Sequence, residues 1–326
     1  MKKRYDIVVL GELLIDFTEA GISENGMKLF EQNPGGAPAN LLTTASHFGC
    51  QTAFIGKVGA DMHGDFLKYT LDQEGIDTTY IIQDKSAFTT LAFVAINDCG
   101  EREFSFARKP GADTCLSIHD FEHDILTSSK IFHVGSLSLT DEPSKTATYM
   151  AVKAAKEAGT LISYDPNYRS SLWSDENTAV AVMKDMIPMV DLMKVSDEES
   201  LLLTREQDYL RAAEKLLSMG PKLIAVTLGG NGVLLVKKGQ YESIPGFKVN
   251  VVDSTGAGDS FWGGFLSGFI EFEKELEDMK WEEWKKCAIR GNATAALCVQ
   301  ERGGIPSIPK KEEVMNLISQ RTSFFL

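Results

Sequence analysis

One stretch in the C-terminal third combines residue types that can bind an anion and take up a proton. It reads DSTGAGDSFWGGF, residues 253–265, and its Gly-Ala-Gly segment lies between the carboxylates of Asp253 and Asp259. Glycine lets bare backbone come close to a ligand. If a helix begins here, its first amide N–H groups lack intrahelical partners and carry the positive end of the helix dipole, an arrangement that binds phosphate. Asp259 at such a helix start must either cap the amides or do chemistry beside a bound anion.

A second glycine pair opens another helix-like run. It lies in NPGGAPANLLTTASHFG, residues 33–49, with Asn40 one turn into the run. The sequence contains neither G-x-x-x-x-G-K-[ST] nor a G-x-G-x-x-G that follows a strand, so the common phosphate-loop and dinucleotide patterns are absent. The two glycine-opened helix starts are therefore the candidate ligand-binding positions, and a doubly wound sheet would bring both to one edge.

Short apolar runs that end in glycine or polar residues alternate with helical patterns along the chain. This alternation is typical of βαβ units and predicts an α/β fold, a doubly wound and mainly parallel sheet flanked by helices. The segment 143–159 predicts a helix, with a proline in its first turn and a glycine at its C-terminal end. The predicted core strands are residues 6–11, 130–136, 161–167, 191–196 and 223–229.

Two regions, 12–34 and 81–108, interrupt this alternation. In the second region, LAFVAINDCGEREFSFA predicts two strands around an Asn-Asp-Cys-Gly turn at 97–100. We expect a small β-sheet that covers the carboxyl ends of the parallel strands as a lid, because the ligand crevice of such folds lies there. The whole chain, 1–326, is expected to form one domain that carries this lid.

Composition restricts the possible partners and setting. Of 326 residues, 43% are hydrophobic and 24% charged, as is ordinary for a globular protein, and the net charge of -13 disfavours non-specific nucleic-acid binding. No run approaches the roughly 18 apolar residues of a membrane span. Acidic residues interrupt the N-terminal run 1–17, which therefore predicts a first buried strand rather than a signal peptide. Five cysteines without a C-x-x-C pair favour neither disulfides nor zinc, so we expect a cytoplasmic protein with no nucleic-acid or membrane partner.

The glycine-rich stretches also carry a resemblance to a known family. Residues 34–67 and 253–269 resemble the two signatures of the ribokinase-like (PfkB) carbohydrate kinases, and the intervening strands and helices follow that family's order. Ordered matches along the whole chain are far more specific than a single glycine motif. Fructokinases are the most similar members, on the stretches GELLIDF (11–17), GEREFSFARKPGAD (100–113), SYDPNYRSSLW (163–173) and KVSDEE (194–199).

The resemblance implies an ATP- and magnesium-dependent sugar kinase in which the 253–265 stretch is catalytic. The backbone amides of Gly256, Ala257 and Gly258 would stabilise the charge that develops on the transferred phosphoryl group. Asp259 would be the general base that accepts the proton of the attacking sugar hydroxyl. The alternative for Asp259 is a helix N-cap without a role in the chemistry.

The resemblance also implies positions for the two substrates. Asp16, expected at the end of the first strand, would take two sugar hydroxyls, with a glycine pair, an asparagine and two arginines around the same pocket. Without the resemblance, Asp16 fits a turn and each arginine fits a solvated surface charge. The expected sugar-binding residues are Asp16, Gly35, Gly36, Asn40, Arg108 and Arg169. The expected ATP-binding residues are Thr227, Gly229, Gly232 and Asn292.

The chain departs from the family pattern at two positions. The Asn-x-x-Glu motif that organises magnesium through water appears as Ser196-Asp197-Glu198-Glu199, which keeps the acid at Glu199 but has serine for asparagine. Ala107 stands where relatives often carry tyrosine, which removes a ring and a hydroxyl from the expected pocket. By resemblance to potassium-activated members, a K⁺ site would be surrounded by Asp253, Thr255, Cys298, Glu301, Gly303 and Ser307.

A fructokinase that forms fructose 6-phosphate is the function that these features favour. A 2-keto-3-deoxygluconate kinase is the alternative substrate assignment, because a pair of arginines would suit its carboxylate. A non-catalytic sugar- or nucleotide-binding regulator is the alternative from another class, since a fold alone does not fix function. The lid is the surface through which a homodimer would form.

Overall fold

The computed structural model describes residues 3–96 and 102–323 and is built from alternating strands and helices. The strands are β1 (Tyr5–Leu10), β2 (Leu14–Ile22), β3 (Lys28–Gly35), β4 (Thr52–Gly59), β5 (Ile81–Asp84), β6 (Leu91–Ile96), β7 (Arg102–Ala107), β8 (Ser129–Gly135), β9 (Leu161–Asp165), β10 (Leu192–Ser196), β11 (Leu223–Thr227), β12 (Val233–Lys237) and β13 (Gln240–Ile244). The helices are α1 (Ala37–His47), α2 (Met62–Gln73), α3 (Asp124–Thr127), α4 (Ser144–Glu157), α5 (Glu176–Met186), α6 (Asp197–Thr204), α7 (Tyr209–Leu217), α8 (Ala257–Glu271), α9 (Trp281–Cys298) and α10 (Lys311–Ser323).

Within the described residues, nine strands form one large sheet in the order β13-β12-β11-β10-β9-β8-β1-β4-β5. The strands from β11 to β5 are parallel to their neighbours, whereas β12 and β13 add an antiparallel edge. Parallel strands that are buried on both faces consist of nearly continuous apolar residues. The five strands predicted from such runs are therefore confirmed as β1, β8, β9, β10 and β11.

Helices cover both faces of the large sheet, and successive residues of a strand face opposite cores. On β1, Val8 and Leu10 join the core formed with α4, α5 and α7. Ile7 and Val9 instead join the core formed with α1, α8 and α9. This arrangement confirms the predicted α/β fold with helices on both sides of a mainly parallel sheet.

A column of stacked aromatic rings anchors α8. Trp262 stacks on Phe265 with 4.8 Å between ring centroids, and Trp284 of α9 lies 5.8 Å from Phe265 and 5.2 Å from Phe269. The indole N–H of Trp262 donates a 2.8 Å hydrogen bond to the hydroxyl of Ser163 on β9. Helix α8 is therefore fixed both to its neighbouring helix and to the large sheet.

A second, smaller sheet is present, with four strands in the order β3-β2-β6-β7 in the described part of the chain. Its strands come from the two regions that interrupt the sequence pattern, but the second region begins differently from the prediction. Strand β5 (Ile81–Asp84) pairs with β4 at the edge of the large sheet, because its apolar residues extend an open parallel edge. Assigning all of 81–108 to the small sheet was therefore wrong at its start. The turn predicted at 97–100 lies outside the described residues.

The N-terminal segment forms two strands rather than the one predicted. Strand β1 ends at Leu10, and β2 then belongs to the small sheet. A Cβ atom at Gly11 would lie 2.6 Å from Cγ of Pro38, so glycine lets the chain pass closely beside α1 as it leaves the large sheet. Asp16 lies within β2, paired with Asn33. Its expected place at the end of the first strand is therefore wrong.

Helix α4 confirms the helix predicted at 143–159, and Gly159 beyond its end has a left-handed φ of 73°. Among the helices of residues 3–96 and 102–323, none combines the length and the apolar character of a membrane span.

Candidate active site

A cleft of about 860 Å³ lies between the carboxyl ends of the central strands, the start of α8 and the small sheet. The small sheet contributes Leu14, Asp16 and Phe106 to its wall. The loops and strand ends that follow β9, β10 and β11 contribute further polar residues, and the two glycine-opened helices α1 and α8 point into it. The cleft residues from these elements include Gly36, Asn40, Asn167, Lys194, Glu199, Thr227, Gly256, Ala257, Gly258 and Asp259.

Asp259 lies in the first turn of α8 and is 9% exposed. Gly256 precedes this turn with a left-handed φ of 75°, and no side chain in the described part of the chain caps the helix. The Asp259 carboxylate instead accepts hydrogen bonds from Asn40 Nδ2 at 2.9 Å and Asn167 Nδ2 at 3.3 Å. Its carboxylate therefore faces the cleft residues of α1 and of the loop after β9, and it does not serve as the N-cap of α8.

The surroundings of Asp259 raise its pKa to about 6. Burial is the main cause, and the nearby carboxylate of Asp165 acts in the same direction. The charges of Lys194 and Arg169 and the hydrogen bond from Asn40 oppose the rise. Asp259 is consequently ionised at neutral pH and yet close to the proton affinity that suits a general base.

A buried ion pair lies beside Asp259 and was not predicted from the sequence. Lys194 Nζ donates to Asp165 Oδ2 at 2.7 Å, and the two side chains are only 8% and 5% exposed. Burial lowers the pKa of Lys194, but the carboxylates of Asp165, Glu199 and Asp259 outweigh it and leave the pKa raised. The one signal in the sequence was a lysine in the middle of the apolar strand LMKVS.

The expected sugar residues of β2, β3 and α1 come together. A Cβ atom at Gly35 would lie 2.0 Å from Asp16 Oδ2, so the Asp16 carboxylate packs directly against this glycine. Gly36 has a φ of 117°, and a Cβ atom there would lie 2.5 Å from the carbonyl oxygen of Glu12. These close approaches explain both glycines.

Glu12 is a further cleft residue that sequence reasoning missed. It is 2% exposed, and its Oε1 accepts a 3.1 Å hydrogen bond from the first amide of α1, Ala37 N–H. Burial raises the pKa of Glu12 to about 8. This acid is therefore largely protonated at neutral pH and adds little negative charge to the cleft.

The two expected arginines are placed differently. Arg169 is exposed and lines the cleft. Arg108 is 6% exposed and does not line it. Its guanidinium donates to Asp113 Oδ2 at 2.8 Å, to Thr140 Oγ1 at 2.8 Å and to the carbonyl oxygen of Leu137 at 2.9 Å. Arg108 thus supports the cleft wall from behind.

Ala107 was expected to leave a gap in the pocket, but it does not face the cleft. Side chains alternate along a strand, and on β7 it is Phe106 that lines the cleft, whereas Ala107 is exposed and is not part of the wall. The pocket therefore does contain an aromatic ring from this strand, although the residue expected to carry it is alanine.

A second cavity of about 440 Å³ adjoins the cleft and contains all four expected ATP residues, Thr227, Gly229, Gly232 and Asn292. Its wall is mostly apolar, with Phe247, Val249 and Val251 from the segment before α8. Asn292 Nδ2 donates to the carbonyl oxygens of Ile244 at 3.1 Å and Pro245 at 3.3 Å, which fixes this segment on α9. Both cavities include Ala257 and Gly258, so they meet at the start of α8.

Glu199 and Ser196 form a capping box at the start of α6. Glu199 Oε2 accepts from the backbone N–H of Ser196 at 2.8 Å, and Oε1 accepts from that of Tyr168 at 2.8 Å. Each oxygen can accept a further hydrogen bond, and Ser196 and Glu199 both line the cleft. The Ser196 hydroxyl in turn accepts from the backbone N–H of Glu199 at 3.0 Å, so the serine found where asparagine was expected helps to hold the acid in place.

Five of the six residues expected around K⁺ lie close together beside the start of α8. Asp253 accepts from Thr255 N–H at 2.7 Å and from Gly303 N–H at 3.1 Å, and Ser307 donates to the carbonyl oxygen of Gly303 at 2.7 Å. Cys298 Sγ lies 3.1 Å from Ser307 Oγ. The sixth residue, Glu301, is exposed.

Comparison with known proteins assigns this arrangement to a family. The profile of the pfkB family carbohydrate kinases matches residues 4–311, which is nearly the whole chain. This protein belongs to the pfkB family. The family resemblance found in the sequence is thereby confirmed.

This pfkB-family kinase is similar to fructokinases over nearly its full length. It is 40% identical over 312 residues to probable fructokinase-6, chloroplastic, of Arabidopsis thaliana, covering 94% of this chain and 81% of that protein. It is 39% identical over 320 residues to fructokinase-1 of Zea mays, and the match covers 96% of this chain and 98% of that protein. The fructokinase of Xylella fastidiosa with bound ATP superimposes with a TM-score of 0.90 at 30% identity, covering 97% and 99%. A fructokinase double mutant from Vibrio cholerae O395, bound to fructose, ADP and a potassium ion, superimposes with a TM-score of 0.86 at 28% identity, covering 97% and 99%.

Proposed function

We propose that this kinase transfers the γ-phosphoryl group of ATP to D-fructose and forms fructose 6-phosphate. Fructokinase relatives from plants and bacteria support the activity, and a relative bound to fructose and ADP supports the substrate pair. Within this chain, the observation that carries the proposal is the position of Asp259. Its buried carboxylate lies at the helix start where the two cavities meet, one lined by polar residues suited to a sugar and one mostly apolar.

The chemical step is a proton transfer coupled to an in-line displacement. The proton of the 6-hydroxyl passes to the Asp259 carboxylate as the hydroxyl oxygen forms a bond to the γ-phosphorus. The bond from phosphorus to the bridging oxygen breaks and releases ADP. The backbone amides of the segment Gly256–Ala257–Gly258 stabilise the negative charge of the transferred group, and hydrogen bonds from Asn40 and Asn167 keep the carboxylate oriented.

Fructose is the substrate that the cleft favours over a ketodeoxy sugar acid. Asp16, Gly36 and Asn40 would form the hydroxyl-binding side, with Gly35 packed against the Asp16 carboxylate. A sugar acid would need cations in the pocket to bind its carboxylate. The expected pair of arginines was the reason to consider such a substrate. Because the guanidinium of Arg108 is engaged behind the wall, Arg169 is the arginine that remains for the sugar.

ATP is proposed to occupy the second cavity with its phosphates at the start of α8, and Mg²⁺ to accompany it. Glu199 would hold the ion through water, with Asp197 and Glu198 beside it in the cleft wall. Carboxylate oxygens suit Mg²⁺, which usually keeps several waters and, when bound, neutralises phosphate charge. Among the described residues no three acidic, histidine or cysteine side chains form a direct ligand cluster, so the ion would be held by Glu199 through water and by the phosphates of the nucleotide.

A monovalent cation site is proposed beside the start of α8. Asp253, Thr255, Cys298, Gly303 and Ser307 are gathered there, and the relative from Vibrio cholerae contains a potassium ion. An ion held by the backbone carbonyls of these segments would stiffen the adjoining anion-binding amides. Glu301 would take part only through its backbone, because its side chain is exposed.

The small sheet is proposed to act as the lid of a single kinase domain, 1–326, and as a dimer surface. Its strands and their turn expose large apolar side chains: Ile22 (69%), Met27 (68%), Leu29 (47%), Phe30 (39%) and Phe93 (37%). A second copy of the chain would cover such side chains. Light scattering that gives the monomer mass at micromolar concentration would contradict this dimer. The cytoplasm remains the proposed location, on the cysteine pattern of the sequence.

A coupled assay for ADP release with a panel of sugars tests the proposed function. Fructose should give the highest kcat/KM. A tenfold or greater kcat/KM for 2-keto-3-deoxygluconate would overturn the substrate assignment, and no turnover with any sugar would favour the regulator.

A further inference from the structure

Lys194 places a buried positive charge directly beside the start of α8. It lies on β10, a central strand of the large sheet, and its side chain is only 8% exposed. A Cβ atom at Gly258 would lie 2.8 Å from Lys194 Nζ, so the ammonium group packs against the first turn of α8. The N-terminus of a helix carries partial positive charge and disfavours a neighbouring cation. An anion bound at this point would be attracted by both the ammonium group and the helix start.

The ammonium group also has hydrogen-bonding capacity to spare. Lysine has three N–H donors, and among the residues that the structure describes, Asp165 is the one acceptor bonded to Lys194 Nζ. The remaining donors lie in a cleft wall that also contains Gly258 and Asp259. Asp165 holds the nitrogen in place, and an anion at the start of α8 could accept from the other N–H groups.

We propose that Lys194 is a catalytic residue that binds the γ-phosphoryl group of the nucleotide, together with the backbone amides of Gly256, Ala257 and Gly258. The proposal rests on the kinase function proposed above. The ammonium donates to a non-bridging oxygen of the γ-phosphoryl group and stabilises the charge that this group carries during transfer. It also separates the phosphoryl oxygens from Asp165 and Asp259, the carboxylates that would otherwise repel them.

Nucleotide binding in the absence of sugar tests this role. Calorimetry compares the non-hydrolysable ATP analogue AMP-PNP with ADP, both with Mg²⁺, for the wild type and for Lys194→Met. Because a hydrogen bond to a charged group is worth about 1.5–3 kcal/mol, Lys194→Met should weaken AMP-PNP relative to ADP by about 10- to 100-fold. Lys194→Arg, which keeps the charge, should retain more of the preference for AMP-PNP. An equal loss for both nucleotides would overturn the proposal.

A matched variant separates the phosphoryl contact from the ion pair. Asp165→Asn removes the charge that pairs with Lys194 but leaves the ammonium group. It should keep most of the preference for AMP-PNP over ADP, and a loss as large as that of Lys194→Met would show a structural role and overturn the proposal. If Lys194→Met does not fold, Lys194→Gln provides the same uncharged comparison. Wild-type turnover in the sugar panel tests the proposed function separately, since these binding measurements contain no sugar.

Discussion

Replacing Asp259 by asparagine should lower the activity of the enzyme and raise its stability. The substitution keeps the size of the side chain and the start of α8, but the amide cannot accept a proton. A general base typically contributes about 10²–10⁴-fold, so kcat with fructose should fall by at least about 10²-fold. The dissociation constants of fructose and ATP should change little, which calorimetry on each substrate can measure.

The same substitution should make the protein more stable at neutral pH. Burial raises the pKa of Asp259 from 3.8 to about 6, and each pKa unit corresponds to about 1.36 kcal/mol. Keeping this carboxylate ionised therefore costs the folded state about 3 kcal/mol. Because the folded pKa lies above the unfolded value, the cost is complete above about pH 6, shrinks as the pH falls toward 3.8 and is absent below that. Asp259→Asn should raise the free energy of unfolding by up to about 3 kcal/mol at pH 7.5 and by little at pH 4.

Urea unfolding at the two pH values and the ADP-release assay measure both effects. In the wild type, kcat/KM should decline below about pH 6, because protonated Asp259 cannot accept the sugar proton. Asp208→Asn is the matched control, since it makes the same chemical change at the N-cap of α7, where asparagine also caps well. Retention of more than half of the wild-type kcat by Asp259→Asn would refute its role as base. Equal stability of the variant and the wild type at pH 7.5 would refute the buried-charge argument.

Three further outcomes are expected from the site. Glu199→Gln should raise the magnesium concentration needed for half-maximal rate and lower Tm, because a backbone N–H of Tyr168 or Ser196 loses its carboxylate acceptor; an unchanged magnesium titration would exclude Glu199 from the metal site. Arg169→Ala should raise the KM for fructose more than it lowers kcat. For comparison with Arg169→Ala, Arg108→Ala should lower the free energy of unfolding by about 3–5 kcal/mol, because the buried carboxylate of Asp113 loses its cation. A loss of stability in Arg169→Ala together with a raised KM but unchanged stability in Arg108→Ala would contradict the placement of the two arginines. Rates in potassium salts should exceed those in sodium or choline salts, and identical rates in all three would count against the cation site.

The sequence predicted the central sheet well because its strands carry their own signal. Strands such as β8 and β11 are apolar on both faces, and this pattern persists whatever they pack against. Strand β5 and the split between β1 and β2 were mispredicted because both depend on tertiary contacts. Four residues at a sheet edge have little local signal, and the turn at Gly11 is set by the distant Pro38.

The sequence predicted the site residues whose backbone conformation requires glycine. It did not predict which charged side chains line the cleft. Gly36 and Gly256 have positive φ values, and the sequence identified both helix starts. Arg108, which was expected in the pocket, is paired with Asp113 behind the cleft wall, whereas Lys194, which was not predicted, lines the cleft. Nothing in the local sequence tells whether a cation's partner lies five residues away, as Asp113 does, or on a neighbouring strand, as Asp165 does.

The stacked rings of α8 determine which part of the enzyme can rearrange when substrates arrive. Trp262 and Phe265 lie within two turns of the backbone amides of Gly256, Ala257 and Gly258, and their contacts with Trp284 and Ser163 tie that helix to both the sheet and α9. A ligand cannot displace the start of α8 without disturbing this packed interior. In the proposed phosphoryl site, the dipoles of these amides would therefore be preorganised and would need little reorganisation energy during turnover. Under the proposed function, induced fit would come from the opposite wall of the cleft, where Asp16 and Phe106 belong to a separate sheet that could move toward the sugar.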